Sequence, residues 1–457
     1  MTRTISRLAF LLVLFLGFVP GSISADDWPQ YRGPKRDGIS RETGWMTKWP
    51  QEGLPVLWKV SVGRGYSSVA VANGRIYTLG LLPKDPSRND KNDPVVETVS
   101  CLDPQTGKTL WQFPYVGTLN NQFPGARSTP TVDGKVVYVY GQYGELFCLD
   151  AETGKVVWQK LLIKDLGAQH VTYGYAASPL IVGDLVIVPA RILADKKTKD
   201  AAAAPANNAL LVAFNKHKGD EVWRAYHPSP DLGGGYWACP TACVLNDKPC
   251  LVYSSGNACM GLEPGTGKIL WKHVFSDEDL RRKQGRNGIT AQEPVVLGNR
   301  VICTVHPDNS DGLGICLEIN GDQVKEVWRD KLLDNYTCCN ILWKQHVFGI
   351  THNDTASRIG PLYCFDVQTG KKKWEKKDAG GSFIMADGKF LTFTGKQLVL
   401  IEASTDEYKE LARSQPLFLP EEISFRYSDR IAPVLSNGRI YCRSQNGVLV
   451  CLDVRVK

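Results

Sequence analysis

The sequence predicts an all-β chain: a single eight-bladed β-propeller of four-stranded antiparallel blades. Three observations point there. A motif, LDPQTGKTLW at Leu102–Trp111, returns as LDAETGKVVW (Leu149–Trp158), LEPGTGKILW (Leu262–Trp271) and FDVQTGKKKW (Phe365–Trp374). A second hairpin pattern lies upstream of each copy. One further copy is split between the two ends of the chain, with LDV (Leu452–Val454) near the C-terminus and PVLW (Pro55–Trp58) near the start.

Each motif reads as strand, tight turn, strand. An apolar run such as Glu145–Leu149 precedes the acid, and another such as Val156–Trp158 follows the Gly-Lys pair. The Thr-Gly between them supplies the turn, because glycine accepts positive φ without a Cβ clash. Looser copies are FNKHKGDEVW (Phe214–Trp223), LEINGDQVKEVW (Leu317–Trp328) and IEASTDEYKEL (Ile401–Leu411), the last with leucine in place of tryptophan. The upstream hairpins, among them Thr129–Gly141, Ser178–Ala190, Glu293–Val305 and Ala432–Ser444, carry Asp-Gly, Gly-Asp, Gly-Asn and Asn-Gly at their centres, the dipeptides of two-residue hairpin turns. Two hairpins per unit make a four-stranded sheet, and closing tryptophans recur at roughly 46–65 residues, at or above the blade period of propeller repeats. Eight upstream hairpins begin near Ser68, Ser128, Ser178, Pro240, Glu293, Cys339, Ser382 and Ile431. The C-terminal unit has three strands of its own, so Leu54–Val60 is expected to supply its fourth and close the ring.

The repeated LDxxTGKxxW resembles the tryptophan-docking repeat of pyrroloquinoline-quinone (PQQ)-type, quinoprotein alcohol dehydrogenase-like propellers. The resemblance implies that each tryptophan packs against the turn of the next blade. The leader DWPQYRGPKRDGIS (Asp27–Ser40) is similar to the start of secreted PQQ-like proteins of planctomycete bacteria. The likeness covers nearly all of the chain after its leader, and speaks to fold far more than to activity.

Residues 1–25 read as a secretory signal. Arg3 and Arg7 precede an apolar run, Leu8–Val19, and Ser22–Ala25 offers small residues for cleavage. That run falls short of the ~20 residues a span needs, which disfavours an uncleaved anchor. Residues 26–53 form an N-terminal tail, expected to lie over the ring with Trp28, Tyr31, Trp45 and Trp49 as anchors, and residues 54–457 form the propeller. Arg32, Arg36 and Asp37 are expected to pair with each other rather than with a ligand. The formal charge is +7 over 457 residues. Without Arg3 and Arg7 it is about +5, too weak to argue for nucleic acid. No further membrane segment is present, so the expectation is a periplasmic or secreted monomer.

Thirteen cysteines in an exported chain invite a disulfide reading. Cys101, Cys148, Cys316, Cys364 and Cys451 share one slot, two residues before the motif acid. Equivalent slots in different blades are too far apart to bridge, so these are read as small apolar core residues. Cys303 and Cys442 take the same reading, and a pair among Cys239, Cys243, Cys250 and Cys259 stays open.

Strand parity puts the loops after second and fourth strands on one face. That face carries the polar insertions Lys84–Pro94 and Ala194–Asn208, the loops His306–Gly314 and Thr351–Pro361, and the segments leading into each blade. It is the better candidate for binding. Arg64, Tyr66, Arg127, Tyr175, Trp237, Arg286, Glu293 and Arg430 are the funnel candidates, an aromatic and Arg-rich set suited to an anionic or sugar-like ligand or a peptide. The competing reading is that these arginines cap the channel structurally.

The resemblance also implies an enzyme to weigh: a PQQ-dependent alcohol dehydrogenase of the polyvinyl-alcohol type, with quinone held over the funnel by a tryptophan, adjacent disulfide-linked cysteines and calcium. Cys338 and Cys339 are adjacent, and Trp237 lies in another lead-in segment. CCNILW, however, lacks the acid and arginine that follow such a pair in those enzymes. Glu293 is the one convincing calcium carboxylate, far from a six-ligand set. No C-x-x-C-H haem motif, zinc spacing, phosphate loop or nucleophile elbow occurs. The reading is therefore a non-catalytic scaffold, similar to BamB-type assembly factors, binding an unidentified envelope protein or small ligand. No catalytic residue, metal or cofactor is expected; PQQ with calcium belongs only to the alternative.

Overall fold

The computed structural model describes residues 26–83, 95–117, 124–171, 173–193, 208–227, 236–279, 288–289, 292–307, 312–331, 333, 340–351, 360–423 and 430–456. Eight antiparallel sheets form the ring. Blade 1 runs through Ala70–Ala72, Arg75–Pro83, Val95–Leu102 and Thr109–Gly117, and blades 2 to 7 repeat the order. Blade 8 takes Val434–Ser436, Arg439–Arg443 and Val448–Asp453 from the C-terminus and its outer strand, Val56–Ser61, from the N-terminal part. Trp58 stands opposite Cys451 and Ser61 opposite Val448, so the ends of the propeller interlock as the split motif predicts. Among the described residues no helix is long and apolar enough to cross a membrane.

The motif chemistry explains the turns. In Asp103–Gly107 the Asp103 carboxylate accepts the Thr106 N–H at 2.7 Å and the Thr106 hydroxyl at 2.9 Å. Gly107 has φ +70°, and a Cβ there would stand 2.8 Å from the Trp58 ring. Glycine is thus required twice, for backbone conformation and for close approach. A register shift in the outer strand, as between Val156 and Trp158, is the β-bulge that re-aims a side chain. The cysteines in the shared slot are buried in the core, as expected.

Six indoles clasp the next blade. Trp58 Nε1–H donates to Pro104 O at 3.0 Å, Trp111 to Ala151 O at 3.2 Å, and Trp158 to Lys216 O at 2.8 Å. Trp223 donates to Pro264 O at 3.0 Å, Trp328 to Val367 O at 2.9 Å, and Trp374 to Ser404 O at 3.0 Å. The joints between blades 4 and 5 and between blades 7 and 8 are built differently. The Trp271 N–H makes no hydrogen bond, and Ile319 O accepts Asn246 Nδ2 at 3.1 Å instead. Where Leu411 replaces tryptophan, the tail steps in: Met46 N–H donates to Val454 O at 2.6 Å, and the buried Trp45 bridges Arg455.

The tail is a plug as well as a cover. It crosses the tight-turn face, pairing Trp28 with Val71, Pro29 O with Val132 N–H, and Gly38 O with Met385 N–H. Ile39–Ser40 adds a parallel strand to blade 7. First strands are only three residues long in most blades, so tail arginines reach past them. Arg36 donates to Pro179 O at 3.0 Å, and Arg32 to Asn340 O at 2.6 Å and to Asp37 O at 3.1 Å. The expected local pairing of Arg32 with Asp37 is thus to its backbone and forms part of a wider set. A second staple is Arg443, fully buried, which donates to Ser67 O, Thr78 Oγ1 and Gly63 O at 2.6–2.8 Å and joins blade 8 to blade 1.

Candidate functional site

The lead-in segments of blades 1 and 2 pack backbone to backbone. Tyr66 and Ser67 N–H groups both donate to Ala126 O, at 2.9 and 3.1 Å, and a Cβ on Gly125 would stand 2.5 Å from Arg64 O. This close approach sets the Arg127 guanidinium over the Tyr66 ring, 5.6 Å from its centroid, a cation–π geometry. The Tyr66 hydroxyl accepts Gln445 Nε2 from blade 8. Burial lowers the pKa of Arg127; Tyr66 and Glu97 act the other way, and the nearby Arg430 lowers it further. Blades 8, 1 and 2 therefore meet at Tyr66, through Gln445 on its hydroxyl and Arg127 over its ring, with Arg430 near enough to act on Arg127.

Behind Arg127 lies a carboxylate that the sequence reading passed over. Glu97 is 0% exposed. Burial pushes its pKa up to about 7; the Tyr115 hydroxyl and the Gln142 backbone N–H oppose the rise, and Glu145 adds to it. The Tyr115 hydroxyl lies towards the Glu97 carboxyl, and the polar atoms of both are buried. Glu145 is also raised by burial, while its carboxylate accepts the Tyr143 N–H at 3.1 Å. A buried carboxyl poised near neutrality beside a guanidinium is the kind of perturbed group that clusters at functional sites. The signal in the sequence was a glutamate breaking the otherwise apolar start of a third strand, in VVETVSCLD and again in GELFCLD.

The other candidates separate. Arg64 is exposed, its backbone paired with Leu81. Tyr175 is buried in the core between blades, and its hydroxyl donates to Gln169 O at 2.8 Å. Trp237 donates to Gly174 O at 2.9 Å and packs beside Tyr173, ring centroids 6.0 Å apart. Tyr173 is exposed and has φ +67°. Glu293 faces the tail, in a buried ion pair with Arg32 at 3.2 Å. Arg286, Cys338 and Cys339 lie outside the described residues. Among the described residues no group of three or more His, Cys, Asp or Glu side chains could hold a metal ion.

A family profile described as outer membrane protein assembly factor BamB, of the PQQ repeat type, matches residues 96–376. The chain belongs to this family. No curated protein sequence matches it. Among solved structures it is similar to a quinohemoprotein alcohol dehydrogenase from Comamonas testosteroni, at 14% identity and a TM-score of 0.63, covering 94% of this chain and 81% of that one. It is also similar to BamB from Moraxella catarrhalis, at 14% identity and a TM-score of 0.56, covering 88% and 99%. At these identities the likenesses show the fold alone, and a non-catalytic assembly factor and an oxidoreductase share it.

Proposed function

We propose that this chain is an exported, non-catalytic scaffold that binds an acidic segment of an envelope protein, or a small anionic ligand, on its loop-rich face. The observation that carries this reading is the Arg127 guanidinium over the Tyr66 ring, with Arg430 near enough to act on Arg127 electrostatically. Guanidiniums beside an aromatic face recognise carboxylates by paired, charge-assisted hydrogen bonds and stacking. The likeness to BamB supports a protein partner, and the apolar leader supports export to the periplasm or beyond.

The second reading is the quinone-dependent oxidoreductase, favoured by the likeness to the alcohol dehydrogenase. Against it stands the Glu293 carboxylate, which is engaged by the Arg32 guanidinium, so that a calcium ion there would have to displace a buried arginine. Two measurements separate the readings. Envelope proteins captured on immobilised mature protein should be lost, by tenfold or more, from an Arg127→Ala, Arg430→Ala double variant; equal capture would overturn the scaffold reading at this site. Adding PQQ, calcium and primary alcohols to the wild-type protein should give no dye reduction; turnover would establish the enzyme instead.

A further inference from the structure

The hairpin that opens blade 4 pairs Thr241–Leu245 with Lys248–Ser254 through the two-residue turn Asn246-Asp247. Both turn residues have positive φ, +50° and +59°, the signature of a type I′ turn. Leu245 and Lys248 close it, and Cys243 stands directly opposite Cys250 two pairs further on. In a hairpin closed this way, hydrogen-bonded pairs alternate with open ones, so the cysteines occupy a hydrogen-bonded pair with Cα atoms about 5.5 Å apart. That separation lies inside the span of about 4.4–6.8 Å that a disulfide bridges. The Cys243 thiol already points across the strands, its Sγ 3.6 Å from Cys250 O.

The two sulfurs differ in access. Cys243 is partly exposed, and Cys250 is buried, at 2%. One thiol can meet a reagent in solution while the other waits behind it. The pair also shares a proton unequally. Donation from Cys243 holds the Cys250 thiol below its usual range, and the Trp271 indole helps. Trp271 is the indole that makes no clasp to blade 5. The other thiols nearby are sealed: Cys259 and Cys303 are fully buried in the same core, and Cys239 is buried with its Sγ accepting the Ser178 N–H at 3.1 Å.

We propose that Cys243 and Cys250 form a thiol–disulfide exchange pair, closing as a cross-strand bond when an external disulfide such as oxidised glutathione reacts with the chain. As its proton passes to the Cys250 sulfur, the Cys243 sulfur attacks the external disulfide and expels one glutathione thiolate, which takes that proton on; a mixed disulfide is left on Cys243. The Cys250 thiolate then attacks the Cys243 sulfur and expels the second glutathione. The two protein thiols are oxidised, the external disulfide is reduced to two thiols, and the protons released pass to the leaving thiolates.

The test uses the full mature chain, first reduced and then equilibrated with oxidised and reduced glutathione. Remaining thiols are blocked under native conditions and again after unfolding. Before blocking, the expected product has lost about 2 Da per chain by intact mass, as one dithiol closes to one disulfide; after blocking it carries two fewer adducts than the fully reduced chain. Peptides cut after Leu245 should stay joined until reductant is added. Cys243→Ser should abolish that linkage, and Cys239→Ser should leave it. A bond mapped to Cys259 and Cys303 would overturn the proposal. So would wild-type protein in which Cys243 and Cys250 are both fully alkylated, or in which Cys243 stops at the glutathione adduct.

Discussion

Set the joint between blades 3 and 4 beside the one between blades 4 and 5. In the first, Trp223 bonds Pro264 O, and a Cβ on Gly267 of the facing turn would stand 2.4 Å from its ring. In the second, the equivalent Trp271 is just as buried but unbonded, and Asn246 reaches the equivalent carbonyl, Ile319 O. The joint between blades 7 and 8 gives a third answer, a backbone N–H from Met46 on Val454 O. What recurs is therefore the carbonyl after the motif acid, or one residue beyond it at Ser404, and not the indole. A carbonyl trapped between two blades without a donor is costly, and three different groups meet that one demand. In five of the six indole joints the ring lies against the glycine of the facing turn, at Gly107, Gly154, Gly219, Gly267 and Gly370; Trp374 reaches Ser404 O in a turn without glycine. Blade 5 offers Trp271 no such contact, since a Cβ on Gly321 would meet nothing within 4 Å.

The sharpest way to break this view is to remove whole clasps. Trp223→Ala should cost about 3–5 kcal/mol, as for other buried aromatics, read as a shift in denaturant midpoint. Trp45→Ala should cost nearly as much, since the tail tryptophan occupies the joint that Leu411 leaves open. A cost for Trp45→Ala below about 1 kcal/mol, the level of an ordinary surface change, would mean the tail merely lies on the ring.

The joint between blades 1 and 2 has its clasp and also a burden, Glu97. Its folded pKa, about 7, lies above the ordinary 4.5, so the native state binds the proton more tightly than the unfolded chain. This contribution is fully present below pH 4.5 and is lost as pH rises through about 7. Stability should fall by about 3 kcal/mol across that window, at ~1.4 kcal/mol per pH unit. Glu97→Gln should flatten the profile between those limits. An unchanged profile in the variant would show that another group titrates there.

Most of the ring was legible because the repeat is written in residues whose reasons are local. Asp, Thr and Gly make the turn, alternation makes the strands, and the split motif at Trp58 predicts the closure. The site was less legible. Arg127 and Tyr66 were among the candidates because lead-in segments must converge, but no local pattern pairs one with the other. Their meeting depends on two glycine-lined backbones touching across a gap of sixty residues. Glu293 has the look of a funnel ligand, and only the path of the tail reveals Arg32 beside it. Glu97 was hidden in an apolar strand, where its chemistry comes wholly from burial.

Smaller substitutions test the comparison at the level of single hydrogen bonds. Trp223→Phe keeps most of the ring and strands Pro264 O, so it should cost about 1–2 kcal/mol. Trp271→Phe removes an N–H that reaches no carbonyl of blade 5 and should cost less than about 0.5 kcal/mol, the scatter of a neutral change. In that joint the sensitive residue should be Asn246. Glycine there keeps the positive φ, +50°, and deletes only the amide, so Asn246→Gly should cost about 1 kcal/mol. The two joints then rest on different groups: the indole in one and the turn amide in the other. If Trp271→Phe proved as costly as Trp223→Phe while Asn246→Gly proved silent, the indole itself would be the shared element, and the carbonyl would be incidental.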